Sequence, residues 1–257
     1  NIESRDGMVD PEALIAAIAE HGGDVAGLMM TCPNTLGLME MHLPRIVEEL
    51  RRVDALLYYD GANMNAIMGK MRVGDVGFDV VHLNVHKTLG TPHGGGGPGA
   101  GPVGVGERLL PFLPAPRVVP REDGSYLLDY NLPQSIGYMG PFYGSFGVVV
   151  KALSYMLRMG GEGLTRASEY AVLNANYLKK RLEDVLDVPF ADRFCAHEFV
   201  ASAPNGMRAL DIAKGLLDRG FHAPTIYFPL IVKECLMAEP TENESKETLD
   251  AYVDDPH

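Results

Sequence analysis

The stretch His86-Lys87-Thr88-Leu89-Gly90-Thr91-Pro92-His93-Gly94-Gly95-Gly96-Gly97-Pro98-Gly99 follows closely on the apolar run Val80-Val81-His82-Leu83, and its reading decides the fold. The apolar run reads as a buried strand, and a loop from about residue 84 to 101 leaves its carboxyl end. A run of glycines is entropically unfavourable to order, and it makes sense where backbone must approach another group closely. The lysine precedes the glycines, whereas in a nucleotide P-loop it follows them, and the run is not GxGxxG. Held between a histidine and a rigid Pro/Gly segment, Lys87 is expected to be a buried or partly buried amine of lowered pKa, suited to Schiff-base chemistry. A solvated lysine ahead of a flexible surface loop is the plain alternative.

Working outward, the same pattern recurs. Asp10-Pro11-Glu12 starts a helix with an N-cap and a proline in the first turn, Leu14, Ile15 and Ile18 give it an apolar face, and Gly22-Gly23 ends it. Val25–Met30, Ala55–Tyr59 and Pro102–Val105 read as further strands, and residues 43–52 as an amphipathic helix. Apolar strands separated by helices predict a mainly parallel sheet covered on both faces, with ligands beyond the carboxyl ends of the strands. The loop Thr31–Gly37, the acid Asp60 and the Lys87 loop all fall at such ends. Asp60 closes an otherwise apolar strand; it is either a turn-capping acid or the acid that pairs with a cofactor's pyridinium nitrogen. Lys87 comes about one helix-plus-strand crossover later, in the neighbouring post-strand loop.

Beyond about residue 107 the pattern changes. Residues 107–145 show little periodicity. Residues 146–159 and 164–186 read as helices, 199–203 as a strand, 208–219 as a helix stopped by Gly220, 225–228 as a strand and 245–253 as a last helix. The expected division is a large domain over 1–140 and a smaller α+β domain over 141–257.

Composition excludes several functions. A net charge of −12 argues against nucleic-acid and anionic-membrane partners. No apolar run is long enough to span a bilayer, the nearest being Phe146–Leu157, which Lys151 interrupts. Cys32, Cys195 and Cys235 lack metal-type spacing and read as reduced thiols, and no His/Asp/Glu grouping has metal-ligand spacing, so no metal is expected. Met29, Met30, Met64, Met68 and Met71 read as core filler, His82 as a hydrogen-bonded structural histidine, Glu239–Glu247 as a solvated helix entry, and Arg208 as either a carboxylate binder or a surface residue.

The segments Asn84-Val85-His86-Lys87-Thr88, Pro92–Val105, Cys32-Pro33-Asn34-Thr35-Leu36-Gly37-Leu38, Tyr58–Ala66, Asp79–Asn84 and Glu239–Thr248 occur together and in order. In these the chain closely resembles glycine dehydrogenase (decarboxylating), the P protein of the glycine cleavage system, from its first residues to near its end. The resemblance implies the aspartate-aminotransferase-like fold (fold type I) of pyridoxal-phosphate enzymes. It implies that Lys87 carries pyridoxal 5'-phosphate covalently and that Asp60 pairs with the pyridinium nitrogen. Ala62 would pack on a ring face, Asn63 would reach the phenolic oxygen and Asn34 would border it. His86 and Thr88 would contact phosphate or substrate, with His86 counted among the catalytic residues beside Lys87 and Asp60, and His93 and the glycine loop would wall the site. The implied reaction is decarboxylation of glycine with transfer of the aminomethyl group to the lipoyl cofactor of the H protein. Implied partners are glycine, the lipoylated H protein and a second P-protein subunit or half, in bacterial cytoplasm or, in a eukaryote, the mitochondrial matrix.

Two positions depart from the pattern: Leu89, commonly aromatic in the family, and Cys32, commonly asparagine. The resemblance also places before residue 1 a long segment that supplies a ring-stacking residue and part of the phosphate cup. Two alternatives stay open on the residues: another fold-type I enzyme of desulfurase or class V aminotransferase type, and a non-catalytic partner subunit.

Overall fold

The computed structural model describes residues 2–95, 99–140 and 143–254; Gly96, Gly97 and Pro98 of the glycine run lie outside the described residues. A small hairpin, β1 (Ser4–Arg5) and β2 (Met8–Val9), leads into helix α1 (Pro11–His21). The Asp10 side chain accepts from the Glu12 N–H at 2.9 Å, and Gly22 closes the helix at φ +54°, so start and stop follow the sequence signals. Then come β3 (Gly27–Met30), α2 (Leu43–Arg52), β4 (Leu56–Gly61), the short α3 (Val73–Val76), β5 (Val80–Leu83), a single helical turn α4 (Val85–Thr88) and β6 (Val103–Val105).

These strands form one sheet in the order β3-β4-β5-β6. The first three are parallel, in the register Met30↔Tyr59 and Asp60↔His82, and β6 joins antiparallel at the edge. Leu43, Ile46 and Leu50 of α2 repeat at helical spacing and pack with Leu14, Ile18, Leu57, Tyr59 and Phe78 into the main core. Truncating either Ile46 or Leu50, both almost fully buried, to alanine is expected to cost about 2–5 kcal/mol. Asp79 is buried below β5, where its carboxylate accepts two bonds from Arg51 Nη1 (2.9 and 3.0 Å) and one from the Leu57 N–H (2.9 Å). Tyr59, also buried, donates its hydroxyl to the Cys32 carbonyl at 2.7 Å.

The expectation of a sheet covered on both faces is corrected. The helices pack on the face that carries Leu57 and Tyr59; on the other, Tyr58, Asp60, Val80 and His82 are half-buried, and Met29 is 59% exposed rather than core filler. Met30 is buried, and Met64, Met68 and Met71 pack against core clusters.

The segment that lacked periodicity holds a hairpin, β7 (Arg117–Pro120) with β8 (Tyr126–Asp129). Next comes α5 (Phe146–Leu182), in which Gly160 at φ 64°, ψ 176° interrupts the helix close to where the sequence predicts one helix to end and another to begin. The remaining elements are β9 (Phe199–Ser202), α6 (Ala209–Asp218), β10 (Thr225–Ile226), β11 (Cys235–Ala238) and α7 (Lys246–Asp254). They build an antiparallel sheet, β10-β11-β9, against which α5 and α7 bury Ala175, Leu178, Leu182 and Leu249. Val85 and Leu89, on either side of Lys87, pack on Val148 and Ala152 of α5. Among the described residues no helix is long and apolar enough to cross a membrane.

Candidate active site

Asp60 is the penultimate residue of β4, and the parallel register sets it beside His82 of β5. The consequence is a relay: Asp60 Oδ1 lies 3.1 Å from His82 Nε2, and His82 Nδ1 lies 2.9 Å from the Tyr58 hydroxyl. His82 thus makes a hydrogen bond with Tyr58 through one nitrogen and lies against the Asp60 carboxylate through the other. Asp60 Oδ1 also accepts from the Ala62 N–H at 3.0 Å, which turns the chain sharply after the strand. Gly61 is needed there, since a Cβ at that position would lie 2.2 Å from the His82 carbonyl oxygen.

Lys87 stands in α4, immediately beyond the end of β5, so the two residues singled out from sequence occupy the carboxyl ends of adjacent parallel strands. The expectation of a buried lysine is corrected: Lys87 is exposed, because one helical turn lifts it clear of the sheet while its neighbours Val85 and Thr88 are buried. Thr88 turns inward, and its hydroxyl accepts from the Met64 N–H at 3.1 Å, tying the lysine turn to the segment after Asp60. His86 is half-buried, its ring edge-on to that of His93 with centroids 4.3 Å apart. Burial, with His93 and the Lys87 charge adding to it, holds the His86 pKa below the ordinary histidine value. His86 Nδ1 and Thr91 Oγ1 are buried without a hydrogen-bond partner.

Two sequence-predicted residues have other tasks here. Asn34 donates to the Gly7 carbonyl (2.8 Å) and Glu40 (2.9 Å), and its carbonyl accepts from the Leu36 and Leu38 N–H groups (3.0 and 3.2 Å). Its amide is spent on folding the 31–38 loop. Asn63 donates to Glu239 at 2.9 Å, and its carbonyl accepts from the Asn65 N–H at 2.8 Å. Arg208 is an exposed helix-start residue paired with Asp211 at 2.7 Å. The three cysteines are buried free thiols, and burial pushes Cys195 and Cys235 up to about 11.

Three side chains outside the predicted site, those of His197, Glu198 and Glu239, converge, with one ligand atom of each within 4.8 Å of the others. His197 and Glu198 precede β9, and Glu239 follows β11. The reading of Glu239 as part of a solvated helix entry is corrected, because it accepts from both Asn63 and Asn65. No linear spacing joins these residues, since the strand pairing alone brings them together. The available signal was local: a His-Glu pair opening one apolar strand and a glutamate closing another.

Residues 167–255 match the family described as glycine dehydrogenase, C-terminal domain. The chain is 58% identical, over 97% of its length, to a probable glycine dehydrogenase (decarboxylating) subunit 2 of Treponema denticola, of which it covers 52%. It therefore spans about half the length of the curated relatives it matches. Its fold matches a crystal structure of glycine decarboxylase (P-protein) of the glycine cleavage system in inhibitor-bound form, with TM-score 0.79, 20% identity, and coverage of 97% of this chain and 56% of that one. It also matches the apo cysteine desulfurase of Thermococcus onnurineus NA1, with TM-score 0.70, 17% identity, and coverage of 98% and 63%. The architecture is thus the mixed α/β fold of fold-type I enzymes.

Proposed function

We propose that this chain is part of a glycine dehydrogenase (decarboxylating) subunit 2 and that it carries the cofactor lysine of an enzyme that decarboxylates glycine and passes the aminomethyl group to the lipoyl group of an H protein. The cofactor is pyridoxal 5'-phosphate, and Lys87 is its covalent anchor. The observation that carries this reading is the placing of Lys87 and the Asp60–His82–Tyr58 relay at the ends of neighbouring parallel strands. This is where open α/β sheets bind ligands.

The residues present fit the cofactor. An exposed primary amine is available for covalent attachment, a carboxylate backed by a histidine is available for a ring nitrogen, and His86 Nδ1 and Thr91 Oγ1 leave buried polar atoms unpartnered in the same segment. When bound, pyridoxal phosphate supplies an electron sink for the pair of electrons left as CO₂ departs. The rest of the work falls to this chain. Asp60, which lies against His82, would pair with a ring nitrogen of the bound group and favour a proton there. Ala62, set by its N–H bond to Asp60, offers a small surface to a ring face. Lys87 would hold the group through its Nζ and, as a free amine, would move protons at that atom. His86, held below its ordinary pKa, presents a neutral ring at pH 7, and a nitrogen of that ring is offered to phosphate or substrate. Thr88 acts through the backbone by fixing the lysine turn to the Asp60 loop. For Asn34, whose two amide protons are both used, a cofactor contact would require breaking the bonds described above, whereas Asn63 donates only one of its two to Glu239 and stays the proposed contact to the phenolic oxygen.

The large-domain portion is taken as residues 1–140 and the C-terminal α+β portion as 141–257. A second P-protein subunit or half and the lipoylated H protein are the proposed partners, and the bacterial cytoplasm the proposed location, since the matched relatives are bacterial proteins. The test is Lys87→Ala in the chain and in a version joined to the region its relatives carry outside it. Loss of the imine absorbance band and of glycine–CO₂ exchange is expected. Normal exchange by the variant overturns the assignment, and cysteine desulfuration without glycine exchange overturns the substrate.

A further inference from the structure

The antiparallel pairing of β9 with β11 runs Cys235↔Ser202 to Ala238↔Phe199. One step beyond the last pair, the register sets Glu198 at the entry to β9 opposite Glu239 at the exit from β11. His197 places its Nε2 3.8 Å from Glu198 Oε2 and 3.9 Å from Glu239 Oε1. One nitrogen or oxygen of each of the three side chains lies within 4.8 Å of the other two. The two histidine separations are too long for hydrogen bonds. The His197 side chain is 2% exposed, and neither of its ring nitrogens has a hydrogen-bond partner. Buried polar side chains are normally satisfied, so an imidazole in this state calls for a ligand. The Glu198 side chain is 12% exposed. Glu239 is oriented by the segment that follows Asp60: its Oε1 accepts from Asn63 Nδ2 at 2.9 Å and from Asn65 Nδ2 at 2.6 Å.

We propose that His197, Glu198 and Glu239 bind a divalent cation of the zinc type, with the imidazole Nε2 and one oxygen of each carboxylate as its ligands. Zinc accepts imidazole nitrogen and carboxylate oxygen at about 2.0–2.2 Å. Two ligands at that distance in a tetrahedral site stand about 3.4 Å apart. The observed 3.8 and 3.9 Å therefore have to close by only a few tenths of an ångström, which the side-chain torsions of the histidine and the glutamates supply. The ion satisfies the buried imidazole and neutralises two carboxylates that otherwise repel across the strand pair. Hydrogen bonds from neighbouring groups are the usual support of a ligating carboxylate, and Asn63 and Asn65 give it to Glu239. Glu239 also lines a cavity of about 560 Å³ with His222, Thr241, Glu244 and Tyr252, which offers the ion a way in and room for a water as fourth ligand. The role is structural: the ion joins the antiparallel sheet to the segment after Asp60. Linear spacing shows no metal grouping here because Glu239 reaches the other two only through strand pairing.

The site does not depend on the cofactor reading and is tested without pyridoxal 5'-phosphate. The chain is stripped with a chelator and titrated with zinc chloride, bound metal is read by equilibrium dialysis, and the melting temperature is followed in parallel. One tightly held zinc per chain and a rise in melting temperature are expected. Asn65→Ala, which removes only a support of Glu239, should weaken binding by about tenfold. Glu198→Gln and Glu239→Gln keep the side-chain shape and should each weaken it further and abolish the rise. No zinc bound by the folded wild type overturns the site. Equal affinity in the glutamine variants overturns it too, since the zinc is then adventitious on other side chains. Isotope-labelled histidine decides the matter if a variant fails to fold. Zinc should shift the His197 ring-nitrogen resonances of the wild type, and resonances that stay unmoved, or that remain those of an imidazolium held between two carboxylates, overturn the proposal.

Discussion

Replacing Thr88 by valine removes the oxygen that accepts the Met64 N–H at 3.1 Å while keeping the shape of the side chain. Thr88 is buried, so no water replaces the lost acceptor at low cost. An unsatisfied backbone N–H of this kind costs about 1–3 kcal/mol. For a chain of this size that is a fall in Tm of about 2–12 °C. The loss is local in origin, because the bond joins the lysine turn to the segment after Asp60 and hence the two ends of the site. Urea unfolding followed by circular dichroism gives the stability change, and hydrogen exchange at the Met64 amide reports the bond itself. Thr88→Ser keeps the hydroxyl and loses only a methyl, about 0.8 kcal/mol, and should leave Met64 exchange slow. A Thr88→Val protein as stable as the wild type, with unchanged Met64 exchange, would refute the claim that this hydroxyl ties the two loops together.

Arg51→Ala leaves the buried Asp79 carboxylate with only the Leu57 N–H and should destabilise the chain by about 3 kcal/mol in denaturant unfolding, with Arg51→Lys recovering part of it. Gly37→Ala should yield insoluble protein, because φ is +78° and the new Cβ would lie 1.9 Å from the Glu198 carbonyl oxygen; a soluble variant with the wild-type melting temperature would contradict the described loop. Glu198 is an acid whose folded pKa is raised from 4.5 to about 8, so the folded chain holds a proton that the unfolded chain releases. Its contribution to stability is full below about 4.5 and is lost as pH rises to about 8. Melting curves across that window should fall more steeply for the wild type than for Glu198→Gln, and parallel curves would count against a raised glutamate.

The fold was most legible where local signals and tertiary demands agree. Asp10-Pro11 and Gly22 bound α1 because capping is local chemistry, and Val80–Leu83 is found as read because a β-branched apolar run has few other uses. The α2 stripe of Leu43, Ile46 and Leu50 needed only a 3.6-residue period. What the sequence left obscure depends on partners distant along the chain. The β7–β8 hairpin has a strand pattern too short to rise above its Pro/Gly-rich surroundings, and β11 is defined by pairing with β9, not by its own composition. The site divides the same way. Asp60 and Lys87 mark strand ends and could be placed by spacing. His197, Glu198 and Glu239 meet only through strand register, and the hydrogen bonds that occupy Asn34 and Asn63 involve Gly7, Glu40 and Glu239, none of which spacing could supply. The exposure of Lys87 was missed because a single helical turn at the end of β5 leaves no periodic trace.

The most direct test is to add pyridoxal 5'-phosphate, reduce with borohydride, digest the protein and sequence the labelled peptide. The account predicts one pyridoxyl group, on Lys87 in the segment Val85–Thr88, with Asp60→Asn weakening its uptake. A label on another lysine such as Lys70 or Lys151, or none on a folded chain joined to the region its matched relatives carry outside it, would contradict it.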